Sequence, residues 1–198
     1  ISLSDLNSNR MRVAKSGEWI RDFPHRGLAN NSAVYYERPD MNTFMKEWFS
    51  LYESKSGERG LFNRDSARRT VERSGRRDPD HEWGTNPCSE IILRPYQFCN
   101  LTEVVVKSTD SVEDLKTKIN LATELGTYQA TLTDLKYIRK IWRDNTEEER
   151  LLGVSLTGIM DNANLNAYNP DLEKTLSGLK QEAIRTNEKL AKKLDIPV

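Results

Sequence analysis

Two cysteines, Cys88 and Cys99, sit eleven residues apart in the run Gly84-Thr85-Asn86-Pro87-Cys88-Ser89-Glu90-Ile91-Ile92-Leu93-Arg94-Pro95-Tyr96-Gln97-Phe98-Cys99-Asn100-Leu101-Thr102-Glu103-Val104-Val105-Val106, and the chain has no others. A structural zinc site takes about four ligands at short spacings such as Cys-x2-Cys. Here the spacing is wrong, and His81 is the only further ligand nearby, so no metal site is expected. Two unrelated buried thiols are the ordinary reading of such a pair. The neighbours of Cys88 argue for more. Asn86 and Glu90 flank it two residues away on either side, and a tight loop brings such side chains beside the sulfur. An amide that orients a hydroxyl, a carboxylate that accepts a proton and a sulfur make a minimal catalytic set. His25 and His81 are the only histidines, and His81 lies in the polar run Asp80-His81-Glu82, whose simplest reading is exposure. A cysteine served by Glu and Asn rather than His suits chemistry in which sulfur need not be a thiolate. Hydrogen-atom abstraction by a sulfur radical is such a case.

The elements that must position this stretch are legible in outline. Ile1-Ser2-Leu3-Ser4 reads as a short strand. Asn7 to Arg26 is polar, with Gly17 and Pro24 as breakers, and reads as a loop or short hairpin. Ala33-Val34-Tyr35-Tyr36 reads as a strand. Asp40 caps a helix from about Asn42 to Ser54, with Phe44, Trp48, Leu51 and Tyr52 as a core-facing stripe. Leu61-Phe62-Asn63 reads as a strand end. Gly84 and Pro87 favour a loop at the first cysteine, and Val104 to Val106 a strand after the second. From Ser111 the character turns helical. Ser111 and Asp114 form a capping-box pair, and Val112, Leu115, Ile119 and Ala122 make one stripe. Leu135, Ile138 and Trp142 continue the period. Gly153 and Gly158 within Leu151 to Met160 suggest close helix packing or a bend. Pro170 opens a last helix marked by Leu172, Leu176, Leu179, Ile184 and Leu190.

The 198 residues suit one domain or a piece of a larger one, and at 30% charged and 36% hydrophobic they are polar without being disordered. Thirty Lys and Arg balance thirty Asp and Glu, so net charge argues for neither a nucleic-acid nor a membrane partner. Arg64 to Arg77 holds six arginines and is able to touch phosphates. Without interleaved aromatics it reads as a solvated helix face, and a nucleic-acid module built on it is disfavoured. No secretory signal pattern or membrane span is present, and two cysteines are no disulfide scaffold. A reducing, cytoplasmic setting is expected. Both ends read as cut from something longer.

Asn86-Pro87-Cys88-Ser89-Glu90, followed by Arg94-Pro95-Tyr96-Gln97-Phe98-Cys99-Asn100-Leu101, resembles the finger loop of ribonucleotide reductase large subunits. The cysteine spacing and the Cys99-Asn100-Leu101-Thr102-Glu103-Val104 run resemble the class II, adenosylcobalamin-dependent branch, in particular the monomeric ribonucleoside-triphosphate reductases. Arg26 to Val34 and Gly57 to Ala67 resemble the two barrel strands before the loop. Arg139 to Asp161, including Glu147-Glu148-Glu149-Arg150-Leu151-Leu152-Gly153-Val154-Ser155-Leu156-Thr157-Gly158-Ile159-Met160, resembles the helical segment after it. Ser89 departs from the pattern, since Gly is common there, and a slightly stiffer loop is expected.

The resemblance implies an α/β fold: part of a ten-stranded α/β barrel with a central finger loop in residues 1–110, followed by a helical segment in residues 111–198. It implies that Cys88 carries the thiyl radical that abstracts the ribose 3′ hydrogen, and that Glu90 takes the 3′ hydroxyl proton. Asn86 holds the ribose hydroxyls, and Leu101 joins Asn86 and Glu90 in contacting the substrate. Cys99 is one of two reducing thiols that close into a disulfide. The implied cofactor is adenosylcobalamin. The implied partners are a ribonucleotide substrate, deoxynucleotide effectors, a thioredoxin-type or dithiol reductant, and flanking segments of the same enzyme. The family's second reducing cysteine and its Pro-Ser-Gly-Thr phosphate segment are not in this sequence, so the chain alone is expected to be incomplete. A diphosphate-using reductase and a noncatalytic fragment active only when joined to its flanks are the rival readings.

Overall fold

The computed structural model describes residues 2–198; Ile1 of the expected first strand lies outside them. The chain divides into two units, one ending at Pro95 and one comprising Tyr96–Val198.

The first unit is built on three parallel strands, β1 (Ser2–Ser4), β2 (Asn31–Tyr35) and β3 (Gly60–Asn63), in the order β1-β2-β3. Leu3 pairs with Ser32, and Val34 with Phe62. Parallel neighbours need long crossovers, and these carry the helices. The stretch from Asn7 to Arg26 is not a hairpin: it holds two four-residue helical turns, α1 (Asn9–Arg12) and α2 (Trp19–Asp22), and runs into a 3-10 turn at Pro24–Leu28. The second crossover is α3 (Met41–Ser54), whose N-cap Asp40 accepts the backbone N–H groups of Asn42 and Thr43. The Thr43 hydroxyl, and after it those backbone bonds, hold the Asp40 carboxyl below its ordinary pKa. After β3 comes α4 (Arg64–Ser74), ended by Gly75 at φ 64°. A hairpin of β4 (Gly84–Thr85) and β5 (Ile92–Leu93) follows.

The aromatic stripe of α3 does not face a core. Trp48 and Tyr52 are exposed, and the side chains the helix buries are Glu47 and Ser54. Glu47 is 1% exposed and receives Arg12 Nε at 3.0 Å and Arg59 Nη2 at 2.8 Å. Arg59, from just before β3, also donates to Ser4 Oγ at 3.1 Å. Two cations answer the buried carboxylate, which is the condition for keeping it charged. The Tyr35 hydroxyl beside them has no hydrogen-bond partner. Burial, and secondarily the Glu47 charge, push its pKa up.

The second unit pairs β6 (Asn100–Val105) in parallel with β7 (Leu152–Thr157). The connection carries α5 (Val112–Gln129) and α6 (Lys140–Glu149), and the unit ends in α7 (Leu172–Leu194). The Ser111–Asp114 capping box forms in both directions. Leu115 and Ile119 of α5 pack with Val104, Val106, Leu165 and Leu179, and Val154 and Leu156 close the cluster. The expectation of a helical second half fails at β7. Residues 152–157 read Leu-Gly-Val-Ser-Leu-Thr, with Val154 and Leu156 half-buried while Ser155 and Thr157 face outward. That period of two is a strand pattern. Gly158, read from sequence as a packing or bending glycine in a helix, ends the strand instead: at φ 77° a Cβ there would sit 2.6 Å from Val106 O. Leu135 and Ile138 precede α6, and α7 begins at Leu172, after Pro170.

The fold is α/β. Among the described residues the sheets have three, two and two strands, and no barrel closes.

Candidate functional site

Cys88 stands at the tip of the β4–β5 hairpin, and the base of that hairpin is the best-anchored part of the first unit. Trp83 is fully buried beside Ala67 and Val71 of α4. Its indole N–H donates to Pro79 O at 2.9 Å, and the Arg77 guanidinium lies 4.3 Å over its ring. Arg64 Nε donates to Trp83 O and Arg77 Nη1 to Ile92 O, both at 2.7 Å. These two arginines of the basic stretch therefore brace the hairpin. Arg68 and Arg69 pair with Asp65 along the helix. His81 is not simply exposed: it meets Arg94 at 3.0 Å and packs edge-on against Trp83.

Above the base, Gly84 pairs with Leu93 and Thr85 with Ile92, and Asn86 N donates to Ile91 O at 3.2 Å. The chain reverses between Asn86 and Ile91. Ser89 N donates to Asn86 O at 3.1 Å, and Ser89 takes φ 68°. That left-handed conformation is why glycine suits this position and why a serine there carries strain. The reversal folds Asn86 and Glu90 together. Asn86 Nδ2 donates to Glu90 Oε1, while Asn86 Oδ1 accepts Ile91 N at 3.1 Å. Asn30, one residue before β2, donates from Nδ2 to Pro87 O at 2.9 Å. The tip itself is open: Cys88, Ser89 and Glu90 are exposed, and Asn86 is half-buried. The structure thus brings three of the expected site residues into one turn, with the thiol presented outward and the carboxylate and amide clasped beside it.

The remaining two, Cys99 and Leu101, belong to the second unit. Cys99 is half-buried immediately before β6, and Leu101 is exposed on that strand. Neither cysteine is in a disulfide. Among the described residues no cluster of three or more His, Cys, Asp or Glu side chains is placed to hold a metal, and no helix is long and apolar enough to cross a membrane.

Comparison with known proteins gives this turn a context. The chain is 33% identical over 144 residues to the adenosylcobalamin-dependent ribonucleoside-triphosphate reductase of Lacticaseibacillus paracasei, a match covering 70% of this chain and 18% of that protein. It is 30% identical over 145 residues to proteins of the same name from Lactobacillus helveticus and Lactobacillus acidophilus, with the same coverage. By sequence, the chain is similar to the adenosylcobalamin-dependent ribonucleoside-triphosphate reductases. It spans about a fifth of the length of these reductases. No family model and no solved structure matches it.

Residues that the sequence does not single out as site residues also hold the turn. Asn30 fixes the carbonyl next to Cys88 from the entry to β2, 57 positions from Pro87 in sequence. Its only signal was membership of Ala29-Asn30-Asn31-Ser32, a polar run entering a strand. Arg64, Arg77 and Trp83 brace the hairpin base, and the arginines were hidden inside a run that reads as surface.

Proposed function

We propose that this chain is part of an adenosylcobalamin-dependent ribonucleotide reductase acting on ribonucleoside triphosphates, within the larger barrel that the resemblance implies. The observation that carries the reading is the Asn86–Glu90 clasp beside an outward-facing Cys88. In this reading the Cys88 sulfur, as a thiyl radical, takes the hydrogen atom from ribose C3′. An S–H bond forms and the unpaired electron passes to carbon. Glu90 accepts the 3′ hydroxyl proton, and Asn86 orients the ribose hydroxyls by hydrogen bonding. Cys99 and a second thiol outside this chain each lose a hydrogen and close into a disulfide. One of these hydrogens leaves with the 2′ hydroxyl as water and the other ends on C2′, after which the Cys88 S–H returns its hydrogen to C3′ and the thiyl radical is restored. Leu101 contributes an apolar contact to the substrate.

The residues present fit the cofactor named for the relatives, since what they must offer it is an accessible sulfur, and Cys88 is exposed at a turn tip. Bound adenosylcobalamin would supply the chemistry that initiates the radical on the Cys88 sulfur. The protein's share is to hold that sulfur in place and, in the complete enzyme, to cover the open tip against water. The relatives' names specify triphosphates, which favours that level over diphosphates. Deoxynucleotide effectors and a thioredoxin-type or dithiol reductant belong to the same reading. A second reading, a fragment silent until joined to the rest of the enzyme, is favoured by the coverage of 18% of each relative and by the chain's two cysteines.

The test separates the two thiols in the complete enzyme carrying this chain. Cys88→Ser is expected to abolish deoxynucleotide formation and the substrate-dependent radical signal. Cys99→Ser is expected to stop deoxynucleotide formation while cobalt–carbon homolysis and hydrogen exchange with the cofactor persist. More than trace turnover in Cys88→Ser, or loss of both activities in a folded Cys99→Ser, rejects the assignment.

A further inference from the structure

The residues on both sides of Cys99 are tied to α6 or to Leu151, two residues past its C-terminal end. The Phe98 ring lies 4.6 Å from the Trp142 ring, tilted at 32°, and Tyr96 meets the same indole edge-on at 5.8 Å. Tyr96 O accepts Asn145 Nδ2 at 3.2 Å, and the buried Gln97 donates to the Glu149 carboxylate. On the other side, Asn100 donates to Leu151 O from its backbone N at 3.2 Å and from Nδ2 at 3.0 Å. Tyr96 is held at φ 59°, a conformation that a tyrosine keeps only when its surroundings impose it. The segment is short, irregular and partly exposed, so its backbone order depends on these contacts rather than on a ladder of its own.

We propose that Trp142 is a positioning residue for Cys99: α6 presents its indole as a platform that Tyr96 meets edge-on and Phe98 at a tilt, and this fixes where the thiol points. The inference rests on the reading of Cys99 as a reducing thiol for its catalytic meaning, but the platform itself does not depend on that reading. Two exposed-edge aromatics on one indole are an uneconomical way to build a core, because Tyr96 and Phe98 remain 42% and 40% exposed. They are a good way to restrain a loop, since offset and edge-on ring contacts have preferred geometry.

The test uses the 198-residue chain with Cys88→Ser, so that Cys99 is the sole thiol. Its alkylation by a maleimide is followed by mass spectrometry across pH. Trp142→Ala is expected to change the alkylation rate about tenfold, the size of losing such ring contacts. Trp142→Phe, which keeps a ring, is expected to restore most of the original rate. In the complete enzyme, Trp142→Ala is expected to lower kcat for deoxynucleotide formation with KM for the nucleotide kept, and Trp142→Phe to rescue it. An alkylation rate unmoved by Trp142→Ala, or changed equally by Trp142→Phe, overturns the platform. The functional reading fails separately, through Cys99→Ser retaining deoxynucleotide formation, and that result leaves the alkylation outcome standing.

Discussion

The two units solve the problem of an interior in opposite ways. The second unit packs Val104, Val106, Leu115, Ile119, Leu165 and Leu179 into an apolar cluster. The first unit has a smaller apolar cluster, Ala67, Val71 and Trp83, and elsewhere buries an ion cluster in which Glu47 and Arg59 are 1% and 3% exposed. An apolar core tolerates imperfect packing by degrees, whereas a buried ion cluster holds only while every charge is answered. The first unit should therefore be the more brittle of the two, and it is the one that carries Cys88.

The sharpest way to break this comparison is Glu47→Ala. It leaves the buried Arg59 without its carboxylate and is expected to cost about 3–5 kcal/mol. The control in the other unit, Leu115→Ala, removes a fully buried side chain and is expected to cost about 2–5 kcal/mol. Urea unfolding measures both, and the tryptophans divide the signal. Trp19, Trp48 and Trp83 lie in the first unit, and Trp142 is the only one in the second. The paired swap Glu47→Met with Arg59→Met distinguishes ion pairing from packing. It removes both buried charges together and is expected to cost much less than Glu47→Ala. An equal or larger cost would mean that the cluster acts through shape, and the contrast between the units would collapse.

That contrast also explains what the sequence shows and what it hides. The core of the second unit is legible because Leu115 and Ile119 repeat at helical spacing behind a Ser111–Asp114 cap. The core of the first is hidden. In α3 the apolar period of Phe44, Trp48, Leu51 and Tyr52 points to a buried face, yet the residues it buries are Glu47 and Ser54. The Glu47 partners Arg12 and Arg59 come from a short turn and a strand entry, with no pattern linking them. The strand β7 was misread because Gly153 and Gly158 outweighed the alternation of Val154 and Leu156. At the site, the pairing of Asn86 with Glu90 followed from spacing around a turn. The anchors Asn30, Arg77 and Trp142 did not, because each reaches its target through tertiary contact from a distant part of the chain.

The site turn offers a smaller test, in the opposite direction. Ser89 at φ 68° lies in the region that costs a non-glycine residue about 1–2 kcal/mol, partly offset by the greater freedom glycine has when unfolded. Ser89→Gly is expected to stabilise the first unit by about 0.5–1 kcal/mol in urea unfolding followed through Trp83. It should leave the Trp142 signal unmoved. A destabilised variant would show that the serine side chain contributes something the backbone geometry does not reveal.

The smallest effect is in pH, and it separates the units by direction. In the second unit Asp110, Asp114 and Glu182 all lie below their ordinary carboxylate pKa. The largest causes are the Lys118 hydrogen bond to Asp110, the Ser111 hydroxyl on Asp114 and the Asn120 amide on Glu182. A carboxyl depressed in the folded state binds its proton more tightly when unfolded. Its stabilisation is complete above the unfolded pKa and is lost as pH falls through the folded one. In the first unit Asp40 behaves the same way, but Tyr35 is raised, chiefly by burial. A raised tyrosine favours the folded state below its unfolded pKa, and this contribution is lost as pH climbs through the folded value. Acid below the ordinary carboxylate range should therefore weaken the Trp142 transition more than the Trp83 transition, and alkali above the ordinary tyrosine range should do the reverse. Asp110→Asn should flatten the acid response of the second unit, and Tyr35→Phe the alkaline response of the first. Tyr35→Phe also removes a buried hydroxyl that has no partner, so it is expected to be neutral or stabilising at neutral pH. A Trp83 transition that still falls in alkali in Tyr35→Phe would move the alkaline sensitivity away from the ion cluster.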